Sequence, residues 1–388
     1  MLDFIYYAPT KVFFGKGRHK EVGKIIKEYG YKTIMMQYGK NSIRESGLYD
    51  EIIKSLNENE ITVVEMGGVE PNPKVSFVRE AVKVAKENNV EMILAVGGGS
   101  VIDSSKATAV GAMTDKDVWE FSTRQAIPEK ALPVGCILTL SAAGSEMSSS
   151  AVLTNTEVNM KRGFNSELNR CKFAIMNPEL TYTVPKYQTA CGVVDIMAHT
   201  MERYFMPGEP TDITDRIAES VLCATIKAGK TLMENPYDYD ARANMMWASS
   251  LSHNDLTSCG RDFGLPVHQL EHALSGEYDF IAHGAGLAVL YPAWARYIYE
   301  ENIPRFAQFA KNVWGVEEDD ERIMALRGIE RMEEFFKSLE MPLKLRDFGI
   351  DKTSERLAEL CTFGKTRTVK SYIDLDFDNI KEIFDSCY

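Results

Sequence analysis

The stretch MILAVGGGSVIDSSKATAV, residues 92–110, decides the fold of this chain. Five apolar residues predict a buried strand, Gly97, Gly98, Gly99 and Ser100 follow, and a helical pattern begins after them. Glycines let a backbone approach an anion closely, and the free N–H groups and positive dipole at a helix start favour its charge. The stretch therefore predicts a phosphate-binding turn, with a plain tight turn as the alternative.

The chain on either side of this turn alternates β-rich runs with amphipathic stretches, which predicts a parallel sheet flanked by helices. The candidate strands are KTIMMQY (32–38), ITVVEMG (61–67), MILAVGGG (92–99) and LPVGCILTL (132–140), and the candidate helices between them are GLYDEIIKSLNENE (47–60) and KVSFVREAVKVAKENN (74–89). After about residue 180 the β-rich runs stop, and YQTACGVVDIMAHTMERYF (187–205) and TDRIAESVLCATIKAGKTLM (214–233) have helical periodicity. We predict an α/β domain at 1–181 and an all-α domain at 182–388, packed directly with a cleft between them.

Composition narrows the functional classes. A chain of 388 residues is long enough for two cores, and 45% hydrophobic with 26% charged residues is ordinary for a soluble globular protein. A net charge of -12 argues against nucleic-acid binding, which needs clustered Lys and Arg. The chain has no long apolar run and no signal-peptide layout at its start, and its seven cysteines include no C-x-x-C pair. We expect a cytoplasmic protein with reduced thiols and a small-molecule partner, bound to neither membrane nor nucleic acid.

A second candidate coenzyme contact is the turn after KTIMMQY, formed by Gly39, Lys40, Asn41 and Ser42. No carboxylate stands at the tip of that strand. NAD sites commonly place an acidic residue on the ribose 2′-hydroxyl, whereas a Lys among small polar groups can accept a 2′-phosphate. The alternative is a plain turn. TLSAAGSEMSSS (139–150), at the end of the candidate strand LPVGCILTL, can hydrogen-bond a ribose or simply form a loop.

Histidines cluster in the second half, which holds five of the six: His199, His253, His268, His272 and His283. Asp195 and His199 are four residues apart and share one helix face, as do His268 and His272. Two such pairs can build one cage, and a carboxylate with imidazoles suits Zn²⁺ or Fe²⁺. Neither a Cys₄ site nor H-E-x-x-H is present. The alternative is a set of hydrogen-bonded core histidines.

The motifs GGGSVIDSSK (97–106), GVVDIMAHTMERY (192–204) and HQLEHALSGEYDFIAHGAGLAVLYPAW (268–294) together resemble the iron-containing (group III) alcohol dehydrogenases, and within them the NADPH-dependent butanol dehydrogenases. FIYYAPTKVFFGKG (4–17) and VEPNP (69–73) also look like that family. The resemblance spans nearly the whole chain, and the order and distances of the motifs argue against chance. It implies a dinucleotide-binding α/β domain, an all-α metal-binding domain and a nicotinamide in the cleft between them.

Carried over position by position, the resemblance implies specific site residues. The metal ligands would be Asp195, His199, His268 and His283. His272 would lie near the nicotinamide without binding metal. The candidate proton donor is His272 or a water on the coenzyme ribose, and the alternative role for His272 is a helix-packing histidine. The fifteen residues from His268 to His283 are one more than the common family spacing, which predicts a bulge or longer turn in SGEYDF (275–280).

The resemblance also implies the coenzyme contacts. Gly98, Gly99, Ser100 and Asp103 would form the pyrophosphate loop, next to Gly97; Thr139, Leu140 and Lys161 would lie near the cofactor; Gly39, Lys40, Asn41 and Ser42 would match the turn of the NADP-using members.

These inferences predict a homodimeric enzyme that interconverts small aldehydes and primary alcohols, such as butanol, with NADP(H). The resemblance implies Fe²⁺, with Zn²⁺ as the alternative, acting as a Lewis acid on the carbonyl oxygen while the coenzyme delivers hydride. Three other functions stay open: a glycerol or polyol dehydrogenase using zinc and NAD, a lyase like dehydroquinate synthase, and a metal-dependent hydrolase or non-redox metal-binding protein. The lyase would need a cluster of Lys and Arg near the histidines, and the hydrolase would leave GGGSVIDSSK without a ligand.

Overall fold

The computed structural model describes residues 1–208 and 210–388. They form two compact units, one comprising Tyr7–Val184 and the other joining Met1–Tyr6 to Pro185–Tyr388. The first unit contains a parallel sheet and the second is helical, so the predicted fold class is confirmed. The functional division at residues 181 and 182 stays a prediction.

The α/β unit is built on a six-stranded sheet in the order β1-β8-β5-β4-β2-β3, and all of its strand pairs are parallel. A separate antiparallel pair consists of β6 and β7. The strands are β1 Lys11–Phe14, β2 Thr33–Tyr38, β3 Thr62–Gly67, β4 Met92–Gly97, β5 Val134–Leu138, β6 Ser150–Asn155, β7 Met160–Asn165 and β8 Phe173–Met176. All four predicted strands are present, whereas β1, β8 and the β6–β7 pair were not predicted.

Six helices belong to the α/β unit: α1 Val22–Glu28, α2 Ser42–Glu45, α3 Leu48–Glu58, α4 Val75–Glu87, α5 Gly99–Gly111 and α6 Val118–Ser122. The buried residues of these helices and of the strands beside them follow the periodicities expected for helix and strand. The buried residues of α4 begin at Val75, Val78 and Ala81, which is a helical stripe. One core cluster combines α1 and α3 with alternate strand residues such as Ile34 and Met36 of β2, which is the period-two pattern of one sheet face.

Strand order places the candidate coenzyme turns where a doubly wound sheet binds its ligands. The chain moves from β2 outward to β3, returns, and moves from β4 to β5 in the opposite direction. The order therefore reverses between β2 and β4, and crevices form beyond the carboxyl ends of strands at such a reversal. The turn at 39–42 follows β2, and the glycines at 97–99 begin at the last residue of β4.

The helical unit contains nine helices within the described residues: α7 Lys186–Tyr204, α8 Asp212–Glu234, α9 Tyr239–His253, α10 Pro266–Glu277, α11 His283–Ile298, α12 Ile303–Trp314, α13 Glu321–Ser338, α14 Ser354–Cys361 and α15 Phe377–Ser386. Every residue of α7 from Thr189 to Tyr204 is buried, so this helix lies at the centre of the unit. Among the described helices, none combines the length and apolar character needed to cross a bilayer.

The first turn of α11 packs tightly against α7. A Cβ on Gly284 would lie 2.2 Å from the carbonyl oxygen of Cys191, so only glycine allows this approach. The preceding helix α10 ends at Glu277, and a short turn leads to His283 at the start of α11. The end of SGEYDF lies in that turn. The close contact fixes His283 beside the part of α7 that carries Asp195.

Candidate metal centre and coenzyme loops

The glycines at the end of β4 allow close approach of α5, at Gly97, and of the loop after β5, at Gly98. A Cβ on Gly97 would lie 2.5 Å from Val101, and one on Gly98 would lie 3.1 Å from the Cβ of Leu140. The backbone N–H of Thr139 donates to the carbonyl of Gly97 at 3.1 Å. Strand β5 pairs with β4, so the two loops leave neighbouring strands at the same edge. The structure therefore brings the predicted residues 97–100 and 139–140 together.

Helix α5 begins at Gly99 with no side chain capping its amino end. The cap residue Gly98 has extended backbone, and Gly98, Gly99 and Ser100 are half-buried. Uncapped N–H groups at a helix start can receive a phosphate oxygen. The geometry suits a pyrophosphate, and the contact itself stays a prediction.

Both carboxylate oxygens of Asp103 accept hydrogen bonds from other residues of the α/β unit. Ser145 Oγ donates to one carboxylate oxygen at 2.5 Å, and the backbone N–H of Val152 donates to the other at 3.0 Å. Burial raises the pKa of Asp103, while nearby Lys106 and Lys161 act to lower it. Lys161 lies on β7 opposite Thr154 of β6. These contacts give Asp103 a structural role in holding the loop at 139–152, and direct coenzyme binding by Asp103 or Lys161 stays a prediction.

Lys106 is a residue of this loop system that the sequence analysis did not single out. Its ammonium group is fully buried and donates to the carbonyl oxygens of Ser145, Ser148 and Ser150 at 2.6, 3.1 and 2.7 Å. Burying a charge is costly unless hydrogen bonds replace its water. Lys106 therefore fixes the shape of the hydroxyl-rich loop from within.

The turn after β2 has a carboxylate beside it that sequence reasoning missed. Lys40 Nζ lies 2.8 Å from Glu70 Oε1, and both side chains are exposed. Asn41 precedes the short helix α2, which begins at Ser42. Glu70 follows β3, which pairs with β2 and so brings Glu70 beside Lys40. The spacing of the two residues along the chain does not reveal this ion pair. The tip of β2 itself carries no carboxylate, and Glu70 brings one beside the turn from the segment that follows β3.

Asp195, His199 and His268 converge in the helical unit, with one potential ligand atom of each within 4.8 Å of the others, and His283 approaches Asp195 from the edge of this group. From Asp195 Oδ1 the Nε2 atoms of the three imidazoles lie at 3.3 Å (His199), 3.4 Å (His268) and 3.8 Å (His283). Asp195 and His199 come from one face of α7, His268 from α10, and His283 from the start of α11. The first three are buried, and His283 keeps 25% of its side chain exposed. The exposed edge at His283 is the open side of the cluster.

The opposite nitrogens of two of these imidazoles face buried carboxylates. Glu202 accepts from His268 Nδ1 through one oxygen, and its other oxygen accepts from the His268 backbone N–H at 3.0 Å. Glu271 accepts from His283 Nδ1. Both carboxylates are fully buried. Such partners orient a ligating imidazole and raise its basicity, so the Nε2 atoms are left to point at Asp195.

The donor atoms fit a divalent cation. Asp195 Oδ1 and His268 Nε2 are buried and have no hydrogen-bond partner, which is costly for polar atoms in a protein interior. Ligands about 2.1 Å from a tetrahedral ion stand roughly 3.4 Å apart. The distances from Asp195 Oδ1 to the three Nε2 atoms are close to this value. One carboxylate oxygen with three imidazole nitrogens suits Fe²⁺ or Zn²⁺.

The charge states of two imidazoles differ. Burial and the neighbouring rings of His268 and His253 lower the pKa of His199 well below its ordinary value, which favours the neutral imidazole, the form in which histidine can ligate a metal. For His268, burial acts to lower the pKa, but Glu202 and Asp195 outweigh it and raise the pKa to about 9. The carboxylates therefore create a negative potential at the cluster, which a cation would neutralise.

His272 lies beside the cage. Its ring centroid is 5.8 Å from that of His283 and 6.5 Å from that of His268. It belongs to a second group with Glu271 and His283, in which one potential ligand atom of each residue lies within 4.8 Å of the others. His283 is thus shared, with Nδ1 toward Glu271 and Nε2 toward Asp195. The predicted role of His272, near the nicotinamide and not as a metal ligand, stays a prediction.

Three further residues, not predicted from the sequence, contact the imidazoles of the candidate ligands. Glu202 contacts His268, Glu271 contacts His283, and His253 contacts His199. Two of them carry a spacing signal. Glu202 follows His199 by three positions on α7, and Glu271 follows His268 by three positions on α10, so each shares a helix face with a candidate ligand. His253 comes from α9, and nothing in its spacing connects it to His199.

Comparison with known protein families agrees with this arrangement. Residues 9–178 match the family model "Iron-containing alcohol dehydrogenase", and residues 189–388 match "Fe-containing alcohol dehydrogenase family, C-terminal". The two matches together span nearly the whole chain.

Individual relatives cover the chain from end to end. NADH-dependent butanol dehydrogenase A of Clostridium acetobutylicum is 44% identical over 391 residues, covering 100% of both proteins. The NADPH-dependent aldehyde reductase YqhD of Escherichia coli is 34% identical, again with 100% of both covered. Among solved structures, NADH-dependent butanol dehydrogenase A from Thermotoga maritima aligns with a TM-score of 0.97 at 38% identity, over 100% of this chain and 99% of that one. The resemblance seen in the motifs is confirmed: the chain belongs to the iron-containing alcohol dehydrogenase family and is an alcohol and aldehyde oxidoreductase.

Proposed function

We propose that this enzyme reduces small aldehydes to primary alcohols such as butanol with NADPH, using a divalent cation held by Asp195, His199, His268 and His283. The observation that carries the proposal is the approach of three Nε2 atoms to Asp195 Oδ1, a buried atom with no hydrogen-bond partner. The resident metal that we propose is Fe²⁺, with Zn²⁺ as the alternative. The homodimer and the cytoplasmic location stay predictions.

The chain's own residues have defined tasks in this proposal. A cation at the site supplies a Lewis acid for the carbonyl oxygen. Glu202 and Glu271 hold two imidazoles in the orientation that points Nε2 at it. His272, half-buried beside the cage, is placed to hand a proton to the product oxygen directly or through water.

The preference for NADP(H) rests on the turn at 39–42. The names of the relatives do not support this preference, because the butanol dehydrogenases of C. acetobutylicum and T. maritima, at 44% and 38% identity, are called NADH-dependent, and the E. coli reductase, at 34%, is called NADPH-dependent. In this chain Gly39 stands where an acidic residue would bind a ribose 2′-hydroxyl, and the ammonium group of Lys40 lies one residue later. Lys40 is 67% exposed despite its pair with Glu70 and can turn to a 2′-phosphate.

The test is oxidation of NADPH, and separately of NADH, by purified metal-loaded protein with butyraldehyde. We expect turnover with a higher kcat/KM for NADPH. Glycerol with NAD tests the polyol dehydrogenase alternative in the same assay. Efficient glycerol oxidation with NAD, and weak aldehyde reduction with NADPH, would overturn the proposal.

His268→Ala provides the matching site variant. Removing one imidazole opens the cage, so we expect bound metal and activity to be lost together. The circular dichroism spectrum should remain, because the buried core of the helical unit spans many helices, although Glu202 loses its partner and the melting temperature should fall. Full metal occupancy in this variant would reject His268 as a ligand.

A further inference from the structure

We propose that His253, held in place by Arg203, is a positioning residue that fixes the tautomer and orientation of His199. The inference rests on the proposed metal site and adds a part to it that comes from a fourth helix. His253 is the last residue of α9, whereas the proposed ligands lie on α7, α10 and α11.

The contact between the two rings is close and buried. His253 Nδ1 lies 2.8 Å from His199 Nδ1, with ring centroids 4.0 Å apart at an interplanar angle of 70°. The exposure of His253 is 9% and that of His199 is 4%. A hydrogen bond of this length between two ring nitrogens requires one of them to carry the proton and the other to accept it.

Arg203 decides which ring accepts. Its Nη2 lies 3.2 Å from His253 Nδ1, and its Nη1 donates to the backbone carbonyl of His199 at 2.8 Å. A guanidinium group has only donors, so His253 Nδ1 must be the acceptor in this contact. The proton between the rings therefore belongs to His199 Nδ1. His199 Nε2 is left with a lone pair, and this is the atom that faces Asp195.

The support of His199 differs in kind from that of the other two imidazoles. His268 and His283 donate to carboxylates, which raise the basicity of a ligand. His199 donates to a neutral imidazole whose lone pair is already shared with a guanidinium group. The cage is therefore asymmetric, and the hold of His199 on a cation depends on orientation more than on added basicity.

The inference predicts that the hydrogen-bond acceptor at position 253 matters, whatever side chain supplies it. His253→Leu removes the acceptor and leaves the buried Nδ1–H of His199 unsatisfied. His253→Gln can still accept that proton through its amide oxygen. His253→Met, also without a strong acceptor and with more flexible volume, repeats the Leu test if Leu packs poorly.

The experiment measures Co²⁺ binding to metal-stripped protein by competition with a chelator, together with the visible absorption of the bound Co²⁺, with no coenzyme or aldehyde present. We expect His253→Leu and His253→Met to weaken Co²⁺ binding by about 10- to 100-fold and to change the visible spectrum. His253→Gln should bind within about threefold of the unsubstituted protein and keep its spectrum, since its acceptor satisfies the same donor.

A matched control is His19→Leu, which deletes a buried imidazole bonded to Glu51 in the α/β unit. It should leave Co²⁺ affinity and spectrum unchanged. Unchanged binding in folded His253→Leu or His253→Met, or equal loss in His253→Gln, would overturn the positioning role while leaving the proposed metal site standing. If the unsubstituted protein bound no Co²⁺, the metal site itself would be rejected, and this inference with it.

Discussion

Single side chains at the turn after β2 set the coenzyme preference that we propose. Gly39 does not have positive φ, and a Cβ there would meet just the carbonyl oxygen of Val69, at an ordinary 3.7 Å. The position therefore accepts a larger side chain without backbone strain. An aspartate would fit at position 39, so sterics do not explain why the turn has no carboxylate there. Its absence is a feature of the chemistry of the turn.

Gly39→Asp should shift the preference from NADP toward NAD. A carboxylate repels a 2′-phosphate and accepts hydrogen bonds from a 2′-hydroxyl. The measurement is the ratio of kcat/KM for NADPH and NADH, with Gly39→Asn as the control of nearly equal size and no charge. If Asp and Asn change the ratio equally, or neither changes it, the turn does not read the 2′ position.

Glu70→Gln should raise the efficiency with NADPH modestly and leave that with NADH nearly unchanged. The substitution frees Lys40 from its ion pair. Exposed pairs of this kind contribute up to about 1 kcal/mol, so we expect a gain of no more than roughly fivefold. Repeating the change in a Lys40→Met background should abolish the gain. A gain that persisted without Lys40 would mean that Glu70 acts through another group.

At this scale the sequence predicts contacts within one helix and misses contacts between elements. Asp195 and His199 share a helix face by spacing alone. His283 required the family resemblance, because a turn separates it from α10 and no periodicity crosses a turn. Glu70 lies beside the turn at 39–42 because β3 pairs with β2. His253 contacts His199 because α9 packs against α7. Contacts of both kinds join distant parts of the chain, so local sequence patterns do not reveal them.

At the scale of elements, the segments that were predicted combine a clear periodicity with apolar or strongly β-forming residues. The four predicted strands are the fully buried or long ones, and the stretch 187–205 matches α7 within one residue at each end. Strands β1 and β8 have four residues each, too few to establish a pattern. The β6–β7 pair contains charged and small residues, whose preference for strand is weak.

Helix packing also determines the geometry of the metal cage. Gly284→Ala places a methyl group 2.2 Å from the carbonyl oxygen of Cys191, so α11 must move away from α7. His283, one residue earlier, would move away from Asp195. We expect weaker metal binding as well as lower thermal stability, measured by chelator competition and by melting of the apoprotein.

Gly328→Ala is the control for this prediction. Its new Cβ would lie 2.6 Å from the Cβ of Ala310, which is a similar clash between α13 and α12, neither of which carries a proposed ligand. It should lower the melting temperature without changing metal affinity. If Gly284→Ala lowered stability alone, the α7–α11 contact would not control the cage.

At the scale of the whole molecule, each unit has its own buried core, and the proposed cage lies entirely in the helical one. A ligand that binds only the folded state stabilises it, by about 2.7 kcal/mol at a free concentration one hundred times its Kd. The cation should therefore stabilise the helical unit by an amount that rises with the logarithm of its free concentration divided by its Kd. The α/β unit contains none of the proposed metal ligands, so its sheet forms without them.

The identity of the metal should then depend on supply more than on the donor set. An Asp with three His accommodates Fe²⁺, Co²⁺, Ni²⁺ or Zn²⁺, and affinity along this series does not select iron. We expect metal-stripped protein to regain aldehyde reductase activity with Fe²⁺ under anaerobic conditions, and to varying degrees with Co²⁺ or Zn²⁺. Oxygen should inactivate the Fe²⁺ form, because the edge of the cage at His283 is 25% exposed and admits small molecules. Ca²⁺ should fail to restore activity, since it requires six to eight oxygen ligands and imidazole suits it poorly. Chelated protein that kept full NADPH-dependent activity, with metal shown to be absent, would mean that His272 acts without a Lewis acid.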